Sequence, residues 1–148
     1  MNAYSAAFDQ NAAATTTILG LTGSAAIRFY IYDIMLGSAD TPGDQASHFQ
    51  VERTTVAGTG GTSTAPEPLD PLSAASTTAA HYNPASEPTY TADSELLRFA
   101  VNQRATFRWV AAPGGELISV LGAATGIGLK FEASTGTYAV QGCIHFRE

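Results

Sequence analysis

The chain has 148 residues, a length that fits one domain with a single hydrophobic core. Charged residues make up only 14% of the composition, and seven basic against thirteen acidic side chains give a net charge of −6. This balance argues against a nucleic acid partner, because phosphate binding requires clustered lysine and arginine. A sparsely charged surface instead favours a protein that packs against copies of itself or against a larger assembly.

Cysteine content and hydropathy indicate in which compartment the protein is made. The single cysteine, Cys143, excludes an intrachain disulfide. No basic-then-apolar leader and no apolar run of about 18 residues are evident. We therefore expect a protein made in a reducing cytoplasm, with no membrane partner.

Residues 1–14 differ in composition from the rest of the chain. They mix Ala, Asn, Gln and Ser, with Tyr4 and Phe8 as the only large side chains. Isolated segments of this length are marginal as helices in water, so any order would have to come from a partner surface. We predict an extended N-terminal arm over residues 1–14, followed by a single domain over residues 15–148.

The first half of that domain carries strand signals. Residues 15–22 are β-branched and apolar and stop at a Gly-Ser pair. Residues 27–36 alternate and then become continuously apolar, which places Phe29 and Ile31 on one face. A turn over residues 38–45 precedes a further alternating strand that runs from residue 49 towards residue 56.

Residues 58–91 interrupt the strand pattern. They hold five of the seven prolines, many Ser, Thr and Ala residues, and few side chains to bury. Proline fixes φ and removes an amide donor, so we predict a long Pro-rich loop with room for one helical turn over residues 71–80. Long loops often lie against a partner. The large apolar side chains of the arm and the loop are the candidate partner contacts: Tyr4, Phe8, Leu69, Leu72, Tyr82 and Tyr90.

Strand signals return in the second half of the chain. Further strands are predicted at residues 97–102, 107–109, 117–121, 127–132 and 138–147, with turns at 113–115 and 134–136. In the last strand, parity places Tyr138, Val140, Ile144 and Phe146 on one side, and Gln141, Cys143, His145 and Arg147 on the other. No amphipathic helix is predicted between the strands, which argues against a parallel βαβ sheet. Roughly eight short strands predict an all-β fold, an antiparallel β-sandwich of jelly-roll or Greek-key type.

Two glycine-rich stretches resemble phosphate-binding motifs. Residues 122–128 have the GxxxGxG spacing of short-chain dehydrogenases, but the motif requires a following helix, and strands occupy that position here. Residues 58–61 lack the Lys-Ser/Thr ending of a phosphate cradle. We interpret both as turns or tight strand connections, and we expect no cofactor.

Polar residues suggest three further sites. His145 and Cys143 share a strand face, which suggests a Cys–His pair or half of a metal site, but neither has a second half in the sequence. Asp40 and Asp44 could hold a hard cation, although they lack calcium-loop spacing. The arginines at 98, 104 and 108 lie among aromatic residues, as in a single-strand binder, yet alternation predicts core aromatics and surface arginines. We expect neither a metal nor an enzyme.

A resemblance to a known group covers most of the chain. Residues 102–117, with the sequence Asn-Gln-Arg-Ala-Thr-Phe-Arg-Trp-Val-Ala-Ala-Pro-Gly-Gly-Glu-Leu, resemble small structural proteins of tailed bacteriophages. The likeness extends to Ile27-Arg28 with Tyr32-Asp33, to residues 87–92 (Glu-Pro-Thr-Tyr-Thr-Ala), and to the terminal Phe-Arg-Glu at 146–148. The resemblance implies a capsid decoration, or cement, protein that lies on the outer shell of the virion. Its partners would be the major capsid protein and further copies of itself, with a trimer favoured.

Two other functions stay open. One is a structural part of the tail or of a head fibre. The other is a carbohydrate-binding β-sandwich module, in which Trp109, Tyr30 and Tyr32 would form an aromatic platform.

Overall fold

The structure, a computed structural model, describes residues 1–12, 16–133 and 138–148. These residues form strands and no helix, so the predicted all-β class is confirmed. The strands are β1 (Ala3–Ala12), β2 (Thr16–Thr22), β3 (Tyr30–Ser38), β4 (Ala46–Val56), β5 (Thr62–Thr64), β6 (Glu67–Pro68), β7 (Ala79–Tyr82), β8 (Thr89–Asn102), β9 (Phe107–Val110), β10 (Leu117–Ile118), β11 (Gly126–Ala133) and β12 (Tyr138–Arg147).

The strands form two antiparallel sheets, an arrangement consistent with the predicted β-sandwich. In the first sheet, β9 and β10 lie one after the other along the edge of β3, and β12, β1 and β6 lie in that order on its other side. The second sheet has the order β5-β7-β2-β11-β4-β8. Four of the pairs are nested along the chain: β1 with β12, β2 with β11, β3 with β9, and β4 with β8. The first half of the chain is therefore folded back against the second half.

The core lies between the two sheets, and the predicted in-out alternation of the last strands accounts for much of it. Val140, Ile144 and Phe146 of β12 are buried, as are Ile127 and Leu129 of β11. The side chain of residue 138 and the predicted turn at 134–136 lie outside the described residues. In these strands, the alternation of apolar and polar residues along the sequence therefore predicts correctly which face packs in the core.

Aromatic rings close one edge of the sandwich. The rings of Phe99 on β8 and Phe107 on β9 are parallel, with centroids 3.8 Å apart. Phe99 also stacks on the buried ring of Phe49, at 5.3 Å. Because β8 is the edge strand of one sheet and β9 lies at the edge of the other, these contacts join the two sheets where the chain crosses between them.

The prediction of an N-terminal arm over residues 1–14 is wrong for the part that the structure describes. Residues 3–12 form β1, which pairs with β12 over its whole length and with β6 on its other edge. Tyr4 and Phe8 point into the core and are 2% and 4% exposed. The strand is stabilised by burial of these rings and by pairing on both edges, neither of which depends on a partner. Residues 13 and 14 lie outside the described residues.

The Pro-rich segment at 58–91 is also more structured than a single extended loop. It contains β5, β6 and β7, and it ends in the first residues of β8. Pro68 lies in the edge strand β6, where the missing amide donor costs no ladder bond. The predicted helical turn at 71–80 is absent, and a turn closed by a 2.9 Å bond from the Ser73 amide to the Asp70 carbonyl lies at its start.

Candidate functional site

Two of the predicted partner contacts are buried in the structure. Tyr4 and Phe8 are core residues, so they cannot serve as surface anchors. The hydroxyl of Tyr4 donates a hydrogen bond to the Ala74 carbonyl at 3.0 Å. Tyr4 therefore holds the Pro-rich segment against the core through this hydrogen bond, and it does not contact a partner.

Tyr82 and Tyr90 are likewise engaged within the molecule. Tyr82 lies on β7 and packs against the core. The hydroxyl of Tyr90 lies 2.7 Å from Oγ1 of Thr17, and a Cβ at Gly128 would come within 2.5 Å of that hydroxyl. Because Tyr90 fills the space over Gly128 and contacts Thr17, it holds the start of β8 against β11 and β2 of the same sheet, and it is a poor candidate for a partner contact.

Burial of Tyr90 predicts a loss of stability at alkaline pH. Desolvation raises the pKa of this phenol, so the folded protein retains the proton after the unfolded chain has lost it. The contribution is fully present below about pH 10 and is lost as the pH rises towards the folded value, at up to about 1.4 kcal/mol per pH unit.

The matched comparison is Tyr90→Phe, which removes the ionisable group and the Thr17 bond. We expect the variant to be less stable at pH 7 by about 1 kcal/mol and to show a shallower decline in unfolding free energy from pH 10 to 11. Denaturant titrations of both proteins at each pH measure the difference. Equal slopes in the two proteins would mean that Tyr90 is not protected from solvent.

Leu69 and Leu72, in contrast, are available to a partner. They are 51% and 93% exposed and belong to residues 65–78, which we call the strap. The Leu69 amide donates to the Ala3 carbonyl at 2.8 Å, which ties the strap to the start of β1. The Leu72 amide donates to Oδ1 of Asp70 at 3.0 Å, so the backbone at the tip is also held.

The other end of the strap is fixed by the last residue of the chain. The carboxylate of Glu148 accepts hydrogen bonds from the Thr77 amide at 2.6 Å and from the hydroxyl of Thr78 at 2.7 Å. With the Tyr4 bond, both chain ends hold the strap against the sandwich. The exposed leucine is therefore presented on an ordered backbone, which reduces the entropy that a partner contact would cost.

A polar cluster lies on the outer face of the first sheet, opposite the core. Sγ of Cys143 is 3.5 Å from Nε2 of His145, and Nδ1 of His145 is 3.3 Å from Oδ2 of Asp33. The guanidinium of Arg108 donates to both Asp33 oxygens, at 3.1 and 2.8 Å. We call these four residues the Cys–His–Asp cluster. They come from β3, β9 and β12, and their order in space is thiol, imidazole, carboxylate, guanidinium.

The order of these four groups determines how each one shifts the pKa of its neighbours. The hydrogen bonds from Arg108 hold the pKa of Asp33 below its ordinary value, although its side chain is only 5% exposed. Burial, followed by the negative charge of Asp33, raises the pKa of the Cys143 thiol. The ground state at neutral pH is therefore a protonated thiol beside an ionised carboxylate, with the imidazole between them.

The cluster does not form a metal site. His145 directs its two ring nitrogens at different partners, so Cys143 and Asp33 cannot converge with it on one ion. Across the described residues, no group of three or more His, Cys, Asp or Glu side chains could hold a metal. The sequence placed Cys143 and His145 together by parity but missed Asp33 and Arg108, which arrive from other strands.

The other sequence motifs each have a local structural role. Oδ1 of Asp40 accepts a hydrogen bond from the Thr41 amide at 2.8 Å, whereas Oδ1 of Asp44 accepts one from Asn102 at 2.7 Å. The two carboxylates therefore have separate partners within the chain. The glycine motif at 122–128 runs into β11 rather than into a helix.

Two aromatic residues proposed for a carbohydrate platform do not share a surface. Trp109 packs against the core, whereas Tyr32 lies near His145 and under the guanidinium of Arg147, 4.8 Å from the ring centroid. The platform of Trp109, Tyr30 and Tyr32 is therefore not assembled.

Comparisons with known proteins supply no closer definition of the site. No protein-family model, curated protein or solved structure matches the chain. Among residues 1–12, 16–133 and 138–148 there is also no helix long and apolar enough to cross a membrane. The strap and the Cys–His–Asp cluster are therefore the features that bear on function.

Proposed function

We propose that the protein is a capsid decoration protein of a tailed bacteriophage, which binds the outer shell and stabilises contacts between major capsid proteins. The observation that carries the proposal is Leu72, 93% exposed on a strap that is tied at both ends. A large apolar side chain on an ordered backbone is typical of an anchor that enters a groove on a partner. The sequence resemblance to phage structural proteins favours the shell as that partner.

The strand order supports the proposal at the level of fold. The nested pairs β1–β12, β2–β11, β3–β9 and β4–β8 are those of a long hairpin rolled into two sheets. We propose that this arrangement is a jelly roll, an architecture that recurs in viral capsid proteins. The fold supports the function by analogy only, because one architecture hosts many activities.

The surface composition fits a protein that acts in many copies. Charged residues are only 14% of the chain, so few charged side chains have to lose their hydration when copies pack together. Each contact with the shell can be modest in energy, because repetition over a shell and within an oligomer multiplies its effect. We propose a homo-oligomer, with a trimer favoured, that is made in the host cytoplasm and resides on the virion surface.

The proposal predicts that Leu72→Ser weakens binding to purified expanded capsids. Loss of one buried leucine contact is expected to cost about 1.5–3 kcal/mol per site, which corresponds to roughly tenfold to hundredfold in Kd. Binding is measured by co-sedimentation of the protein with capsids over a range of concentrations. The oligomeric state is measured on the free protein by light scattering.

Val56→Ser is the matched control, because Val56 is also exposed and apolar but lies at the end of β4, outside the strap. We expect its capsid affinity to equal that of the wild type. The decoration role is wrong if neither the wild-type protein nor the Val56→Ser variant binds capsids, and if virions that lack the protein withstand heat as well as wild-type virions do. Localisation of the labelled protein to the tail or to sparse fibres would instead support the alternative structural role.

A further inference from the structure

The outer face of the first sheet combines the Cys–His–Asp cluster with an open groove. The groove has a volume of about 490 Å³, and its lining includes Ala7, Met35 and Gly142. Ala7 and Met35 are the cross-strand neighbours of Cys143 on β1 and β3. The partly exposed thiol therefore lies at the border of a space that is large enough for a small molecule.

The geometry of the cluster is that of a nucleophile, a general base and a carboxylate that orients the base. Asp33 accepts from Nδ1 of His145, which selects the tautomer whose Nε2 carries a lone pair towards the thiol. Arg108 holds the Asp33 carboxylate through two hydrogen bonds and so fixes its orientation. Structural cysteines packed in a core have no such neighbours.

We propose that Cys143 is a reactive thiol, activated by His145, that undergoes exchange with low-molecular-weight disulfides entering from the groove. The site is distinct from the strap, and its activity does not depend on the proposed role on the capsid.

The exchange requires only the thiol of Cys143, the imidazole of His145 and the incoming disulfide. The S–H proton of Cys143 passes to Nε2 of His145 as Sγ attacks one sulfur of the incoming disulfide. The bond between the two sulfurs of that disulfide breaks, and the departing thiolate takes the proton from the imidazolium. The products are a mixed disulfide at Cys143 and one free thiol. Asp33 and Arg108 act as positioning residues, because they contact the imidazole or its partner and not the reacting sulfur.

Charged and titratable side chains approach the imidazole of His145 from three strands of the first sheet. Asp33 and Tyr32 approach from β3, Arg108 from β9 and Arg147 from β12. On β1 the residues opposite the cluster are the uncharged Ser5 and Ala7.

The test uses the intact protein and 4,4′-dithiodipyridine, an uncharged aromatic disulfide whose released thiopyridone is measured by absorbance. We expect one equivalent to be released per chain, none by Cys143→Ala, and a rate at pH 7 that falls at least about tenfold in His145→Asn. In that variant the residual rate should increase with pH, because only the thiolate of Cys143, whose pKa is raised by burial, remains to attack. His48→Asn, on the exposed face of β4, is the matched control and should retain the wild-type rate.

Asp33→Asn separates positioning from a merely structural role. We expect a reaction that is slower at pH 7, because the imidazole loses the hydrogen bond that selects its tautomer. The rate should approach that of the wild type at alkaline pH, where the thiolate of Cys143 attacks without a base. Circular dichroism and unfolding curves for each variant identify those that have lost the fold, and His145→Gln replaces His145→Asn if needed. A wild-type rate equal to that of the folded His145 variant at every pH would overturn the proposal, as would a thiol that reacts only after unfolding.

Discussion

Replacing Phe8 with alanine is expected to lower the free energy of unfolding by about 3–5 kcal/mol. The ring is 4% exposed and lies on β1, where Phe8 pairs with Gly142 of β12. Its removal leaves a cavity that the neighbouring strand β12 cannot fill, because β12 is paired with β1 on one side and with β3 on the other. Urea denaturation followed by circular dichroism measures the change.

The control for this prediction is Ala7→Ser, one residue earlier on the same strand. Ala7 is exposed on the opposite face, so the substitution should change stability by no more than about 0.5 kcal/mol. If Phe8→Ala were as mild as Ala7→Ser, β1 would be a dispensable arm rather than a central strand.

The sequence carried a signal for β1 that its composition obscured. Tyr4, Ala6 and Phe8 have a period of two, as the inward residues of β11 and β12 do, but the second of them is an alanine. The next inward residue is Gln10, a polar side chain whose partners are the Thr17 carbonyl and the Asn83 amide. A buried glutamine that is satisfied by distant backbone groups cannot be recognised from the local pattern.

The strands that were predicted well are those with large apolar residues at every second position. Ile127 and Leu129 on β11, and Ile144 and Phe146 on β12, belong to this class. The short strands β5, β6 and β7 have no such pattern and exist because they pair with β1, with β2 and with each other. Their formation depends on tertiary context, which overrides local preference.

The Cys–His–Asp cluster was also predicted only in part. Local patterns place some of its residues, and pairing between distant strands places the others. Parity along one strand brought Cys143 and His145 together. Asp33 joins them because the register of β3 with β12 shifts between the pairs His145–Asp33 and Phe146–Ile31. This irregularity places an extra residue in β3 and turns Asp33 to the outer face. No pattern within residues 27–36 reveals a register that is set by a strand more than 100 residues away.

Substitution of Gly142 by alanine is the second large effect that we expect, with a loss of about 3 kcal/mol in unfolding free energy. A Cβ at this position would overlap the Met35 carbonyl oxygen and would lie 2.9 Å from Cα of Leu36. Both atoms belong to the backbone of β3, which is paired with β12 at this point. Relief of the overlap requires the two strands to separate, and the ladder bonds there would be lost.

Gly37→Ala on β3 is the matched control, because the nearest atom to its added Cβ would be Oγ1 of Thr106 at 3.5 Å, an ordinary contact. That variant should match the wild type or gain about 0.5 kcal/mol, since alanine reduces the freedom of the unfolded chain. Thermal and urea unfolding of the two variants provide the comparison. A Gly142 variant as stable as the Gly37 variant would mean that β3 and β12 are not in the register described. The same result would separate Asp33 from His145, since that register also aligns the Cys–His–Asp cluster.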